Sequence, residues 1–278
     1  MRACGVWATL SLWMLLTASG CGDATEAYAD LGARALAEAE ALVVAHPQRI
    51  AGVDSERVAQ WICQRLGTGA ELQPFDTPKG TMVNVVKPHP SPVAILVSHY
   101  DTKAGIPGFV GANDGASTTG LLLALAATTE LPVTYLFLDG EECLERYTAT
   151  DGLHGSWYYA KHAAAAPRPP VIVLDMLGDK VFTPGLASNA TYSLNQLIRR
   201  AAQRIKLPLA DAGEIIDDHV PFLIEGWRAA DIIDFDYGPA NGWWHTADDT
   251  MDKLSAESLA RSAALVVEIV QLLKEEQL

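Results

Sequence analysis

The chain is short of cations, cysteines and long apolar runs, and each shortage removes a class of protein. Its 20 Lys and Arg stand against 34 Asp and Glu, a formal charge of -14. Nucleic-acid binding needs clustered cations to neutralise phosphates, so no nucleic-acid partner is expected, and general adhesion to an anionic membrane surface is disfavoured. A charge of this sign speaks to solubility and steering and selects no substrate. The 4 cysteines show no CxxC spacing of a sulfur metal site. Cys4 and Cys21 fall in the N-terminal segment. Cys63 lies on the apolar side of an expected helix and reads as core, which disfavours the other pairing open to it, a disulfide with Cys143. No long polar or Pro/Gly-rich linker, internal repeat or low-complexity tract divides the chain. One domain is expected over residues 22–278.

The apolar run at residues 5–16 is too short to span a membrane. With Arg2 before it and Ala18-Ser19-Gly20-Cys21 after it, residues 1–21 read as an export signal. Ala-Ser-Gly-Cys resembles a bacterial lipobox, which makes Cys21 the lipid-bearing first residue of the mature chain, a tether rather than a span. Ala27-Tyr28-Ala29 is the rival, ordinary cleavage site. Either way the expected location is outside the cytoplasm: periplasmic, membrane-anchored as a lipoprotein, or secreted.

Helical spacing is expected over residues 28–45, 54–66, 115–129, 154–165, 192–205, 220–225 and 255–276. Strands are expected over residues 72–75 and 82–86 near a sheet edge, and over 93–98, 133–138, 171–174 and 232–235. Alternating strands and helices imply an α/β fold with a mostly parallel central sheet flanked by helices. In such folds the ligand site lies beyond the carboxyl ends of the strands. His99 and Asp101 follow one strand there; Asp139, Glu141 and Glu142 follow the next. Asp175 ends a third, and Asp234, Asp236 and His245 follow the last. Carboxylates and imidazoles converging from separate strand ends suit a divalent zinc ion, which takes three or four N, O or S ligands. Any one of these pieces alone is an ordinary loop charge. Burying them all together without a cation would be costly.

The segments His99-Tyr100-Asp101, Gly111-Ala112-Asn113-Asp114, Asp139-Gly140-Glu141-Glu142, Leu174-Asp175, Asp217-Asp218-His219 and Trp244-His245-Thr246 occur in this order. From His99 to Leu254 the chain resembles the zinc-aminopeptidase superfamily, within which the animal-type glutaminyl cyclases fall. The resemblance implies that Asp114, Glu142 and His245 hold one zinc ion and that Glu141 is the general acid/base. It makes Asp175 and Asp217 the carboxylates that hold the substrate's leading end, with Trp244 lining the pocket; Phe222 is a plausible further wall. It implies a glutaminyl-peptide cyclotransferase that turns the N-terminal glutamine of peptides or proteins into pyroglutamate with release of ammonia; a monomer is expected. The chain departs from the animal pattern at Ser98, where a bridging cysteine is missing, and at Tyr147, where a pocket tryptophan is usual.

Two other readings stay open. His99 and Asp175 complete a second metal position bridged by Asp114, so a two-zinc aminopeptidase is the first alternative. An exported binding lipoprotein without catalysis is the second, disfavoured because no ligand or acid/base is missing. His46, His89, His154 and His162 read as surface or loop residues. Asp101 is expected to orient His99, Asp218 to cap a helix, and Asp139 to support its loop.

Overall fold

The computed structural model describes residues 24–148, 150–163 and 168–276. The expected export segment, with Cys21, lies outside them. A short α1 (Ala24–Ala27) leads into α2 (Ala29–Ala45), where Leu31, Ala35, Ala39 and Leu42 recur every three or four residues and are buried. In α3 (Ser55–Leu66) the buried stripe is Val58, Ala59, Ile62 and Leu66, and the helix stops at Gly67 with φ 70°, a left-handed conformation that glycine takes without a Cβ penalty. The hairpin β1 (Glu71–Thr77) and β2 (Gly80–Lys87) follows. Then come β3 (Ala94–His99), α4 (Thr118–Thr128), β4 (Val133–Leu138), α5 (His154–His162) and β5 (Val171–Asp175). The chain continues through β6 (Gly185–Ala187), α6 (Tyr192–Arg204), β7 (Ala210–Gly213), α7 (His219–Ile224), β8 (Ala229–Ile233) and α8 (Ala256–Glu275).

The sheet order is β1-β2-β4-β3-β5-β8-β6-β7. Its centre, β4-β3-β5-β8, is parallel, and β2 and β6 join it antiparallel. Every residue of β3, β4, β5 and β8 is buried, as expected of strands covered on both faces. Successive side chains serve opposite cores. Leu96, Phe137, Ile172, Leu174 and Ile232 face the larger core with α2, α3, α4, α6 and α8. Ile95, Val97, Leu136, Val171 and Val173 face a smaller one with Tyr159 of α5, Phe222 of α7 and Trp227.

The helices of the larger core come close because small residues line their contacts. A Cβ on Gly120 of α4 would sit 2.5 Å from the Ala35 carbonyl oxygen of α2, and one on Gly32 of α2 would sit 2.1 Å from that of Ala256 at the start of α8. The observed α/β sandwich is the one expected, with three differences. The last central strand is Ala229–Ile233 rather than 232–235, because pairing with β5 from Val171↔Ala229 to Asp175↔Ile233 sets its limits. Strands β6 and β7, three and four residues long, lack the β-branched run that would announce them. The helix expected from residue 115 starts at Thr118, after a wide kinked turn, Ala112–Ser117. Cys63 and Cys143 are both free thiols, so the disulfide is absent. No helix among the described residues is long and apolar enough to cross a membrane.

Candidate active site

Because β4, β3, β5 and β8 run parallel, their carboxyl ends share one rim, and the polar residues that follow them meet there. His99 ends β3 and Asp175 ends β5; Glu141 and Glu142 lie just past β4. Asp114 leaves helical geometry in the turn before α4, with φ -78° and ψ 95°. His245 arrives from the segment between β8 and α8 with φ 53°, strain that only fixed surroundings sustain. Its Nε2 lies 3.2 Å from Asp114 Oδ2 and 3.1 Å from Glu142 Oε1. His99 Nε2 lies 3.2 Å from Asp114 Oδ1 and 3.3 Å from Asp175 Oδ1. Both ligand groups, Asp114 with Glu142 and His245, and Asp114 with His99 and Asp175, therefore converge, each with its ligand atoms within 4.8 Å of one another.

Three buried charges hold the ligand-bearing backbone. Asp101 accepts the Glu141 N–H on Oδ1 and the Glu142 N–H on Oδ2, both at 3.1 Å. Its Oδ1 is 3.5 Å from His99 Nδ1, so the loop N–H groups are its closer partners. Asp249 does the same for the other loop, taking the Asn113 N–H at 2.8 Å and the Asp114 N–H at 3.1 Å, and it also accepts the Tyr237 hydroxyl at 2.6 Å. Arg49, 1% exposed, donates to the carbonyls of His46, Tyr100, Val110 and Gly111, tying the His99 loop to the Asp114 loop. Burial pulls its guanidinium down to about 10, with Asp249 and Asp101 opposing, so it stays charged at neutral pH.

The rim is electrostatically frustrated without a cation. Burial, then repulsion from Asp114, pushes the Glu142 carboxyl up to about 7. Burial, then Asp175 and Asp218, pushes Asp217 well above the usual carboxylate range. Burial would lower His245, but hydrogen bonds to Asp114 and Glu142 carry it up to about 9. Burial would likewise lower His99, but bonds to Asp101, Asp114 and Asp175 hold it well above the ordinary imidazole range. Asp114 Oδ2, Glu142 Oε2, Asp175 Oδ1 and both His99 nitrogens are buried without a well-formed hydrogen bond. Oxygen and imidazole donors left in that state fit a divalent metal ion.

Beside the ligands lies a cavity of ≈ 220 Å³ lined by Glu141, Tyr147, Asp175, Asp217, Phe235 and Trp244, with Ile215 and Ile233 also on its wall. Trp244 stacks on His245 with ring centroids 3.9 Å apart and stands edge-on to Phe235 at 5.0 Å. The expected Glu141, Asp175, Asp217 and Trp244 thus share one pocket. Phe222 does not: it is fully buried against Tyr159 and Trp227 in the smaller core, since the α7 turn that brings Asp217 to the pocket points Phe222 at the sheet. Asp218 starts α7 but makes no side-chain cap. His46 is buried edge-on to Trp61 rather than exposed. Asp139 supports its surroundings by accepting the Val83 N–H at 2.9 Å.

Arg49 and Asp231 escaped the sequence reading, as did the partners of Asp249 and Tyr147. Asp231, fully buried in β8 with its Oδ2 3.7 Å from His219 Nδ1, sits among Ala and Ile and looks like any strand residue. Arg49 and Asp249 act on backbone groups far away in sequence. The hydroxyl of Tyr147 donates to Glu141 Oε1 at 2.8 Å.

Similar proteins share this fold. A crystal structure of a glutaminyl cyclase from an Acidobacteriales bacterium superposes with TM-score 0.80 at 30% identity, covering 88% of this chain and 95% of that one. The mouse glutaminyl-peptide cyclotransferase-like protein is 29% identical over 258 residues, 75% of this chain and 67% of its own length. The chain spans about six tenths of the snake (Bothrops jararaca) and bovine glutaminyl-peptide cyclotransferases it matches, 59% and 62%. A Zn-dependent exopeptidase from Parabacteroides distasonis shares the fold at 21% identity and TM-score 0.71, covering 86% of this chain and 97% of that one. Residues 82–270, from β2 into α8 and including every ligand-bearing loop, match the model of peptidase family M28, and the chain belongs to that family.

Proposed function

We propose that this enzyme is a glutaminyl-peptide cyclotransferase, converting an N-terminal glutamine to pyroglutamate with release of ammonia. The observation that carries this reading is that Glu141, Asp175, Asp217 and Trp244 share one small pocket beside Asp114, Glu142 and His245. That pocket suits a reaction in which the substrate brings its own nucleophile. The α-amine nitrogen bonds to the side-chain amide carbon, the carbon–nitrogen bond to the amide NH2 breaks, and a five-membered lactam remains. Glu141 takes the proton lost by the amine and returns it to the departing nitrogen, which leaves as ammonia. Asp175 and Asp217 hold the amine and amide in attack geometry, where positioning lowers the barrier. Asp114, Glu142 and His245 would hold zinc, which when bound supplies Lewis-acid polarisation of the amide carbonyl. The splitting of roles between adjacent Glu141 and Glu142 follows from their partners: Glu142 faces His245, Glu141 faces the pocket.

We propose that a single zinc ion is held by Asp114, Glu142 and His245, beside His99 Nε2, which lies 3.2 Å from Asp114 Oδ1 and 3.3 Å from Asp175 Oδ1. Mass spectrometry of a Gln-initiated peptide tests the reaction: loss of ammonia, abolished by a chelator, is expected. The convergence of His99, Asp114 and Asp175 favours a second reading, a two-zinc aminopeptidase; free glutamine and two zinc ions per chain would establish it instead. The substrate class is peptides and proteins with N-terminal glutamine.

The enzyme works outside the cytoplasm on this reading, as a lipoprotein tethered through Cys21. Cys21→Ser is expected to abolish incorporation of a labelled fatty acid and to shift the protein out of the membrane fraction; unchanged labelling rejects the tether.

A further inference from the structure

The carboxylate assigned the proton transfer has a dedicated support. Glu141 is 6% exposed, and its Oε1 accepts the Tyr147 hydroxyl at 2.8 Å. Tyr147 sits in a loop that closes on Glu141 itself: Leu153 donates its N–H to the Glu141 carbonyl at 2.9 Å, and His154 donates to the Gly140 carbonyl at 2.8 Å. The loop is gathered by one carboxylate. Asp151 accepts the N–H groups of Leu144, Glu145 and Arg146 at 2.7, 3.0 and 3.4 Å and pairs with Lys79 at 2.6 Å. The tyrosine ring is seated on Gly152, which has φ 88°; a Cβ there would lie 2.6 Å from Tyr147 Cδ1 and 2.9 Å from the Glu141 carbonyl. The hydroxyl is therefore placed by the fold, and it lies on the wall of the substrate pocket.

A glutamate beside two imidazoles and a metal position has other places to go. Its side chain turns about three bonds, and His245 and Asp114 line the same pocket. A neutral phenol, protonated at physiological pH, holds one oxygen of that carboxylate without cancelling its charge, leaving the other for the substrate. We propose that Tyr147 is the positioning residue for Glu141: its hydroxyl fixes the carboxylate toward the pocket and away from the metal ligands, and the Asp151 knot with Gly152 fixes the hydroxyl. This rests on Glu141 being the proton-transferring group.

Tyr147→Phe keeps the ring and removes the one atom at issue. A hydrogen bond to a charged group is worth enough that kcat is expected to fall about tenfold, ~1.4 kcal/mol, with KM within about twofold. Zinc content and the unfolding midpoint are expected to stay unchanged, and a crystal structure of the variant is expected to show the Glu141 carboxylate displaced. A Phe variant with undiminished kcat, or with Glu141 in its original place, overturns the proposal. A wild-type enzyme that cyclises no glutamine rejects the assigned reaction instead, while the position of Glu141 in the Phe variant still decides the role of Tyr147.

Discussion

At the scale of the residue, the site divides labour by what each carboxylate touches. Glu141 and Glu142 are neighbours in sequence, yet one faces the substrate pocket and the other meets His245 at 3.1 Å. Their variants should fail differently. Glu141→Gln is expected to lose roughly 10²- to 10⁴-fold in kcat while retaining zinc, whereas His245→Ala is expected to lose the metal itself; atomic-absorption measurement alongside kinetics separates the two. Arg49 carries no chemistry but satisfies four carbonyls from three stretches of chain. Arg49→Met leaves them buried and unpaired, and a stability loss of at least about 3 kcal/mol is expected in urea denaturation, accompanied by weaker zinc retention as the two loops separate. Sequence inspection located the site because His, Asp and Glu gather at successive strand ends, and the resemblance to the zinc aminopeptidases named the ligands among them. It passed over Arg49 and Asp231, and the partners of Asp249, because a residue's type says nothing about which distant backbone group its side chain will meet.

The elements that position these residues depend on close helix contacts. Gly120 lets α4 lie against α2, and α4 carries on its N-terminal side the turn that holds Asp114. Gly120→Ala places a methyl group 2.5 Å from the Ala35 carbonyl and is expected to cost about 1–3 kcal/mol, as overpacked cores do, read as a lower denaturation midpoint. Elements with a strong local pattern were legible in sequence: α3 from Asp54 ahead of it and Gly67 at its end, β3 from the apolar run at 93–97. Strands β6 and β7 were not, being short and poor in β-branched residues, and they exist because β8 offers β6 a free edge. Phe222, expected as a pocket wall, lies five residues past Asp217, and the turn into α7 carries it into the smaller core.

For the whole molecule, the concentration of buried carboxyls links stability to pH and to metal. Glu142 and Asp218 are each pushed up to about 7 by burial first, then by neighbouring carboxylates, whereas in the unfolded chain such groups titrate near pH 4. The folded apo-protein therefore holds protons that the unfolded chain has released. Its stability is fully present below about pH 4 for these groups and is lost as pH rises through about 7. His245, raised to about 9, acts in the same direction at higher pH. Thermal unfolding of the metal-free protein is expected to show a lower midpoint at pH 8 than at pH 5, with a smaller difference once zinc is added, because the cation then replaces the protons as counter-charge. A midpoint that rises with pH in the chelated protein would contradict this.

The sequence by itself determined the α/β class, the order of the ligand-bearing segments and the chemical nature of the site. Those follow from side-chain periodicity and from residue types, which are local properties. Only the tertiary structure decided that Arg49 ties the His99 loop to the Asp114 loop, that Phe222 serves the core, and that Tyr147 reaches Glu141. Such meetings depend on strand register and loop closure, in which a shift of one residue turns a side chain to the opposite face, and no short stretch of sequence encodes that.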